Sequence, residues 1–368
     1  VGALICAIST VIGPSREANA VPRVPALPSR REMLCLRALA RFARLTRWEF
    51  WPSWAVYLPL IPYILWLALR HRGLAVCTHA NPAIPFGGIV GESKWAILQL
   101  LPERWVVPTA YLPPAPPRRR AETLERIVRE RGWAWPIILK PDVGQRGAGV
   151  RRIASPDAAR AYFQEQPMGG AVLAQQLHPG PFEAGVFFYR LPGETRGRIL
   201  SITDKRFPVV RGDGRSTVRT LVWRHPRYRA QAEVLLDQLG ARAETVPAEG
   251  EAMAIGHIGN HCRGTMFLDG AHLITPALEA AVSAIASEAH GFFFGRFDVR
   301  YSDPAEFAAG RGFQVVELNG LSSESTNMYD PGHGYWQGQR ILRSQWRIAY
   351  RIGAEVLSRR SGPKHSSR

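Results

Sequence analysis

Trp-Pro-Ile-Ile-Leu-Lys-Pro-Asp-Val-Gly-Gln-Arg-Gly-Ala-Gly-Val, residues 135–150, is the stretch that decides the fold. An apolar run ending in Lys140 reads as a buried strand. Gly144, Gly147 and Gly149 behind it let the backbone turn tightly and aim its N–H groups at one anion, beside the point charge of the lysine. The lysine precedes the glycines, so this is not the phosphate loop in which it follows them. No acidic residue closes a second strand, as a dinucleotide fingerprint requires. A glycine-rich turn alone is weak evidence, because a plain hairpin uses the same residues. Its weight comes from a second motif, Gly-Arg-Phe-Asp-Val-Arg (295–300) leading into Phe-Gln-Val-Val-Glu-Leu-Asn (313–319). Glu317 and Asn319 lie two apart on a strand and face the same way. With Asp298 on a neighbouring strand they offer the hard oxygen donors that magnesium takes when it bridges phosphates. The pair predicts a triphosphate gripped by amides and lysine at one end and by magnesium at the other.

The chain has 368 residues, which predicts two or three lobes around one cleft, and its 46% hydrophobic content is ample for a core. A net charge of +17, from Lys+Arg 47 against Asp+Glu 30, favours acidic partners such as nucleotides, nucleic acid or an anionic membrane. No C2H2 spacing, helix-turn-helix signal or RNP-type aromatic strand is present, which sets nucleic acid aside as the main ligand. The four cysteines, Cys6, Cys35, Cys77 and Cys262, form no CxxC pair. That argues against zinc and against a disulfide framework, and it fits a reducing cytoplasm. The apolar opening with Ala-Asn-Ala at 18–20 lacks the basic start of a secretory signal and reads as a poorly ordered leader or an over-extended start.

Residues 1–47 read as an irregular leader followed by a basic amphipathic helix from about Arg31. Residues 48–72 are unusual: from Phe50 to Leu69 there is no charge, tryptophan and tyrosine abound, and arginines flank both ends. The length nominally reaches the ~20 residues of a membrane span. Pro52, Pro59 and Pro62 break any single helix, and the aromatics are spread rather than belted. The segment therefore reads as an interfacial element or a buried hydrophobic hairpin. Residues 73–117 are expected to be a small α/β lobe with a strand at Leu74–Cys77, a helix carrying Lys94 in its first turn, and a Pro-rich connector. Residues 118–190 and 191–345 would form the two lobes of the cleft, and 346–368 a basic tail.

Further blocks complete the pattern. Ala171–Tyr189 reads as strand, turn, strand, in which backbone near Gln175, Gln176 and Leu177 can pair with an adenine edge and Glu183 can accept from ribose hydroxyls. In this order the motifs resemble the ATP-grasp superfamily over about residues 74–330, in particular the carboxylate-amine ligases related to D-alanine–D-alanine ligase, cyanophycin synthetase and the glutathione-forming enzymes. The resemblance implies an α/β (α+β) ATP-grasp fold with the nucleotide held between two lobes. It matches Lys94 and Lys140 to the nucleotide clamp, Gln175–Leu177 to the hinge, Glu183 to the ribose position, and Asp298, Glu317 and Asn319 to the metal. Ser201–Val222 resembles the Gly-Asp-Gly-x-x-Thr block of such ligases, which places Lys205 at the γ-phosphate. His257–Thr265 resembles the turn that brings Asn260 or Arg263 beside the phosphate being transferred. After Asn319 the usual Pro-Gly turn is replaced by Gly320–Pro331, a polar loop in which Ser322, Ser323, Glu324, Ser325 and Thr326 are the expected acceptor contacts.

The predicted activity is ATP-dependent ligation with magnesium, manganese being the alternative ion. A carboxylate is activated as an acylphosphate and attacked by an amine, with charge neutralised by Lys140, Arg263 and Arg300. Loop 142–149 would be the lid. A kinase acting on a hydroxyl keeps the same ATP site. A non-enzymatic protein binding membrane or nucleic acid through its basic face is the third reading. The expected partners are small-molecule or envelope-linked carboxylates and amines, in the cytoplasm or peripherally at the inner membrane.

Overall fold

A computed structural model describes residues 28–89, 91–144, 147–165, 170–256 and 258–361. The leader, Gln145 and Arg146 of the glycine loop, His257 and the last seven residues lie outside the described residues.

Helix α1 (Arg30–Thr46) starts at Ser29, whose Oγ accepts from the Glu32 N–H. The Trp-rich segment folds as α2 (Ser53–Tyr57) and α3 (Ile61–Arg70), separated by a 3-10 turn over Leu58–Leu60 that carries Pro59, with Pro62 tolerated in the first turn of α3. Helix α4 (Lys94–Leu98) is capped by Ser93, whose Oγ accepts from the Ala96 N–H. The smaller lobe follows: β1 (Thr109–Leu112), α5 (Pro117–Glu130), β2 (Ile137–Pro141), β3 (Arg151–Ile153), α6 (Pro156–Glu165) and β4 (Val172–Gln176), with the antiparallel sheet order β1-β4-β2-β3. Ala121, Leu124 and Val128, at helical spacing on α5, pack with Ile137, Leu139 and Phe163 into its core.

The larger lobe begins with β5 (Phe182–Tyr189) and β6 (Arg198–Arg206). An inserted subdomain of β7 (Val209–Arg211), α7 (Val218–Arg224), α8 (Ala232–Leu239) and β8 (Ala252–Ala254) packs against Leu36 and Ala40 of α1. The chain then returns as β9 (Met266–Asp269), α9 (Pro276–Glu288), β10 (Phe294–Tyr301), α10 (Pro304–Ala308), β11 (Phe313–Asn319) and α11 (Tyr335–Ser361). These strands form an antiparallel sheet ordered β11-β10-β5-β6-β9. Its apolar face, including Val186, Phe297 and Val299, packs with Leu278, Val282 and Ile285 of α9.

Four expectations about organisation change. Residues 74–77 form no strand; a 3-10 segment runs over Val76–Ala80, against which α11 packs so closely that a Cβ on Gly353 would lie 2.0 Å from the Val76 carbonyl. The only described strand between 73 and 117 is β1, which pairs with β4, so this stretch is no separate α/β lobe. The changeover between lobes falls between β4 and β5 rather than at 190, because β5 pairs with β6 and β10. Residues 346–361 are no tail but the second half of α11, with Ala349, Tyr350, Ile352 and Val356 buried.

Asn81 ties the 3-10 segment to the large sheet. Its Nδ2 donates to the carbonyls of Gly87 (3.1 Å) and Phe294 (2.8 Å), and its Oδ1 accepts from the N–H groups of Phe293 and Phe294, both at 3.0 Å. Asn81→Ala orphans those buried groups and is expected to destabilise the fold by about 3 kcal/mol or more, read as a lower urea midpoint; an unchanged midpoint would show that the tie carries no stability.

Candidate active site

The register of the large sheet places polar residues on one face. Ser201, Thr203 and Lys205 of β6 oppose Phe187, Gly185 and Glu183 of β5, which in turn oppose Arg296, Asp298 and Arg300 of β10. Glu317 and Asn319 of β11 stand opposite Asp298 and Arg296. Gly185 sits in the middle: a Cβ there would meet Arg296 Cδ at 3.0 Å and Asp298 Oδ1 at 3.1 Å, so the absence of a side chain lets the charged groups converge.

They form a buried ion network. Lys205 Nζ donates to Glu183 Oε1 (2.8 Å) and Asp298 Oδ1 (3.0 Å). Arg296 clasps Asp298 through Nε (2.9 Å) and Nη2 (3.1 Å), and Arg300 Nε donates to Glu183 Oε2 (3.0 Å). Burial alone would raise the Asp298 carboxyl, but Arg296 and Lys205 outweigh it and hold it down at about 2. Burial works against the Lys205 ammonium too, yet Asp298 and Glu183 prevail and raise its pKa.

The smaller lobe closes over this face through Lys140. Its Nζ donates to the Val316 carbonyl of β11 (2.9 Å) and to Gln175 Oε1 (3.2 Å), while Gln175 Nε2 reaches Thr109 Oγ1 (2.8 Å). Burial lowers the pKa of Lys140, partly offset by the charge of Glu317. Lys94 Nζ donates to the Gly144 carbonyl (2.6 Å), and Asp142 Oδ1 accepts from Ser93 Oγ (3.1 Å) and the Trp95 N–H (2.8 Å). Lys94 therefore meets the strand-end loop, whereas Lys140 reaches across to β11. Gly147 and Gly149 have φ of +71° and +72°, and a Cβ on Gly147 would lie 3.1 Å from Ile258. A Cβ on Gly259 would come within 1.9 Å of Glu183 Oε1, so the 258–260 turn lies directly over the ion network. Behind this turn, His261 is braced by Glu49 of the Trp-rich segment, which also pairs with Arg227 at 2.7 Å.

Several predicted residues are placed differently from the expectation. Glu183 is buried between Lys205 and Arg300 rather than free for a ribose, and Asp298 is held by two cations and by Asn319 Nδ2 (3.3 Å). Asn260 caps the turn, its Oδ1 accepting from the Cys262 N–H (2.8 Å). Arg263 is half-buried and has no ion pair among the described residues. Gln176 ends β4 and Leu177 follows it, both partly exposed. Of the loop after β11, Ser325 Oγ bonds Ser201 Oγ and Thr326 Oγ1 bonds Thr203 Oγ1 (2.9 Å), while Ser323 Oγ donates to the Gly320 carbonyl (2.5 Å). Ser325 and Thr326 pin the loop to the polar face and Ser323 closes a turn within it, so all three hydroxyls are engaged inside the protein, which corrects their assignment as acceptor contacts. Ser322, whose Oγ donates to Glu92 (3.2 Å), is exposed, and Glu324 lies half-buried beside Tyr329.

Arg296 escaped the sequence reading. The signal was present, because it stands two residues before Asp298 and so shares its face of the strand. Four basic groups (Lys140, Lys205, Arg296 and Arg300) now meet three carboxylates (Glu183, Asp298 and Glu317). Among the described residues Glu317 has no ion-pair partner, and no cluster of three or more His, Cys, Asp or Glu is placed to hold a metal alone. Glu317 and Asn319 are the oxygen donors that would be left to hold a magnesium ion bringing phosphate oxygens as further ligands.

No protein-family model matches the chain, and no curated protein does. Among solved structures it is similar to a bifunctional glutathione synthetase from Pasteurella multocida, at 15% identity and TM-score 0.37 over 70% of this chain and 36% of that one. It is also similar to the D-Ala:D-Ser ligase VanG from Enterococcus faecalis, at 13% identity and TM-score 0.38 over 72% of this chain and 61% of that one. A third, the D-cycloserine synthetase DcsG, has 13% identity and TM-score 0.37, with 70% of each chain covered. The chain thus spans about a third of the first and three fifths of the second of these proteins.

Burial pushes the Glu324 carboxyl from its ordinary 4.5 up to about 7, against the hydrogen bond from Tyr329. An acid raised on folding is bound to its proton more tightly in the native state. Its contribution to stability therefore declines as pH rises from about 4.5 through about 7, by roughly 1–3 kcal/mol. Urea midpoints measured across that range are expected to fall more steeply for the wild type than for Glu324→Gln; parallel curves would contradict the placement of this carboxyl.

Proposed function

We propose that the chain is an ATP-dependent ligase of the ATP-grasp type that requires magnesium and joins a carboxylate to an amine. The observation that carries the reading is the bond from Lys140 Nζ to the Val316 carbonyl (2.9 Å), which joins the glycine-loop strand to the strand bearing Glu317 and Asn319 across one cleft. The two motifs that are far apart in sequence thus share a site with an excess of positive charge and one unpaired carboxylate, a combination suited to a metal-bound triphosphate.

On this reading Lys140 and Lys94 hold the phosphates at the small-lobe side, and the glycine loop covers them. Arg296 and Lys205 neutralise Asp298, leaving Glu317 and Asn319 as the ligands of magnesium. When bound, that ion screens the charge of the phosphate oxygens. A substrate carboxylate oxygen attacks the γ-phosphorus, the bond to the β-phosphate oxygen breaks, and ADP leaves. The amine nitrogen then attacks the acyl carbon of the acylphosphate, the C–O bond to phosphate breaks, and the departing phosphate carries away the proton of the amine. The chain's own groups position the reactants and stabilise charge, since phosphoryl transfer asks little covalent chemistry of a protein. Ser322 and Glu324, at the mouth of the loop after β11, face the acceptor.

The test is release of ADP and phosphate by purified protein with magnesium against pooled amino acids and amines. Release is expected to require both a carboxylate and an amine, and to drop by about 100-fold or more in Glu317→Ala and Lys140→Ala. Phosphorylation of a hydroxyl acceptor without free phosphate would replace the ligase by a kinase, and turnover untouched by either substitution would remove this site from the chemistry.

A further inference from the structure

The paired helices α2 and α3, together with α1, carry a second apolar face that the protein leaves uncovered. Trp54, Leu58, Ile61, Leu65 and Leu69 follow one another at intervals of three or four residues and are 69%, 59%, 47%, 51% and 80% exposed. Val56, Leu60 and Leu67 on the opposite side are buried. Helix α1 has the same construction. Leu36 and Ala40 pack into the inserted subdomain, whereas Leu34, Phe42 and Leu45 point away from it and are more than half exposed. The two surfaces meet where Trp51 Nε1 donates to the Leu45 carbonyl (2.8 Å). An apolar surface of this extent is unusual on a soluble monomer and marks an interaction site.

The charge around it selects the occupant. Residues 28–72 contain eight arginines and two acids, and neither acid is free. Glu32 pairs with Arg224 and Glu49 is buried against Arg227. Arg37 and Arg41 flank the leucines of α1 at exposed positions, and Arg70 and Arg72 end the second stripe, with Arg70 lying 5.6 Å over the Trp66 ring. Leucine and tryptophan at the centre with arginine at the rim is the chemistry of a helix lying in the headgroup region of an anionic bilayer. A second copy of the chain would bring like charge against like charge.

We propose that this face docks on an anionic lipid bilayer and that α2 and α3 lie in its interface without crossing it. The stretch Ser53–Arg70 is apolar enough for a span and only 17% of it is buried. One side of it, however, belongs to the protein: Tyr335 and Gln339 of α11 donate to the carbonyls of Ala55 (3.0 Å) and Val56 (2.8 Å). The prolines also divide the stretch into short helices. The inference is independent of the nucleotide reading, because none of these residues lines the cleft.

Flotation of the full chain with vesicles of phosphatidylcholine alone or with about one third phosphatidylglycerol tests it. Binding is expected to the anionic vesicles only, to weaken as salt is raised, and to shift tryptophan emission to the blue. The triple variant Trp54→Ser/Leu58→Ser/Leu65→Ser should bind at least tenfold more weakly with its melting temperature unchanged, the three side chains being exposed. Binding to neither vesicle, or undiminished binding by the triple variant, would overturn the proposal. So would a concentration-dependent dimer that the triple variant abolishes while vesicles remain unbound.

Discussion

The ammonium of Lys205 is held between the carboxylates of Glu183 and Asp298 with almost no access to water, and the site is built outward from that contact. Two carboxylates and a lysine on adjacent strands are tolerated in a sheet interior only when each charge is paired, since breaking such a buried pair costs about 3–5 kcal/mol. Arg296 and Arg300 complete the pairing from β10, and Gly185 leaves the space in which the groups meet. The outcome is a fully hydrogen-bonded floor whose cations remain in surplus. A floor of this kind receives a polyanion without reorganising.

Everything above the floor is attached to it by few but specific bonds. Lys140 crosses from the smaller sheet to the main chain of β11, Gly259 sets its backbone on Glu183, and Ser325 and Thr326 bond to Ser201 and Thr203. The Trp-rich segment takes part from behind through Glu49, which steadies His261 at the end of the 258–260 turn. The 3-10 turn Trp48–Phe50, which leads into α2, therefore contacts the back of the turn that covers the ion network.

Period-two spacing made much of this floor legible in the sequence. It set Glu317 and Asn319 on one face of their strand, and the same rule applied to Asp298 would have yielded Arg296. Partners were not legible. Whether Glu183 meets a ribose or Lys205 depends on which strands are neighbours, and that is a tertiary fact. The serines after β11 looked like free acceptor contacts because their composition is polar, while the hydroxyls that satisfy them lie on β6, some 120 residues earlier. Leu74–Cys77 carries strand-like residues but packs under α11, where Asn81 and the approach of Gly353 impose 3-10 turns. The second half of α11 was hidden by its arginines, which line the outer side of a helix whose inner side is apolar.

The proposed function requires that the cleft between the two sheets take a metal-bound triphosphate through Lys140 and Glu317. Calorimetric titration of the full chain with the imido analogue of ATP, with and without magnesium, tests it most directly. One site per chain whose affinity falls by at least tenfold when magnesium is withheld is the predicted result. No heat of binding under either condition, or binding indifferent to magnesium, would contradict it.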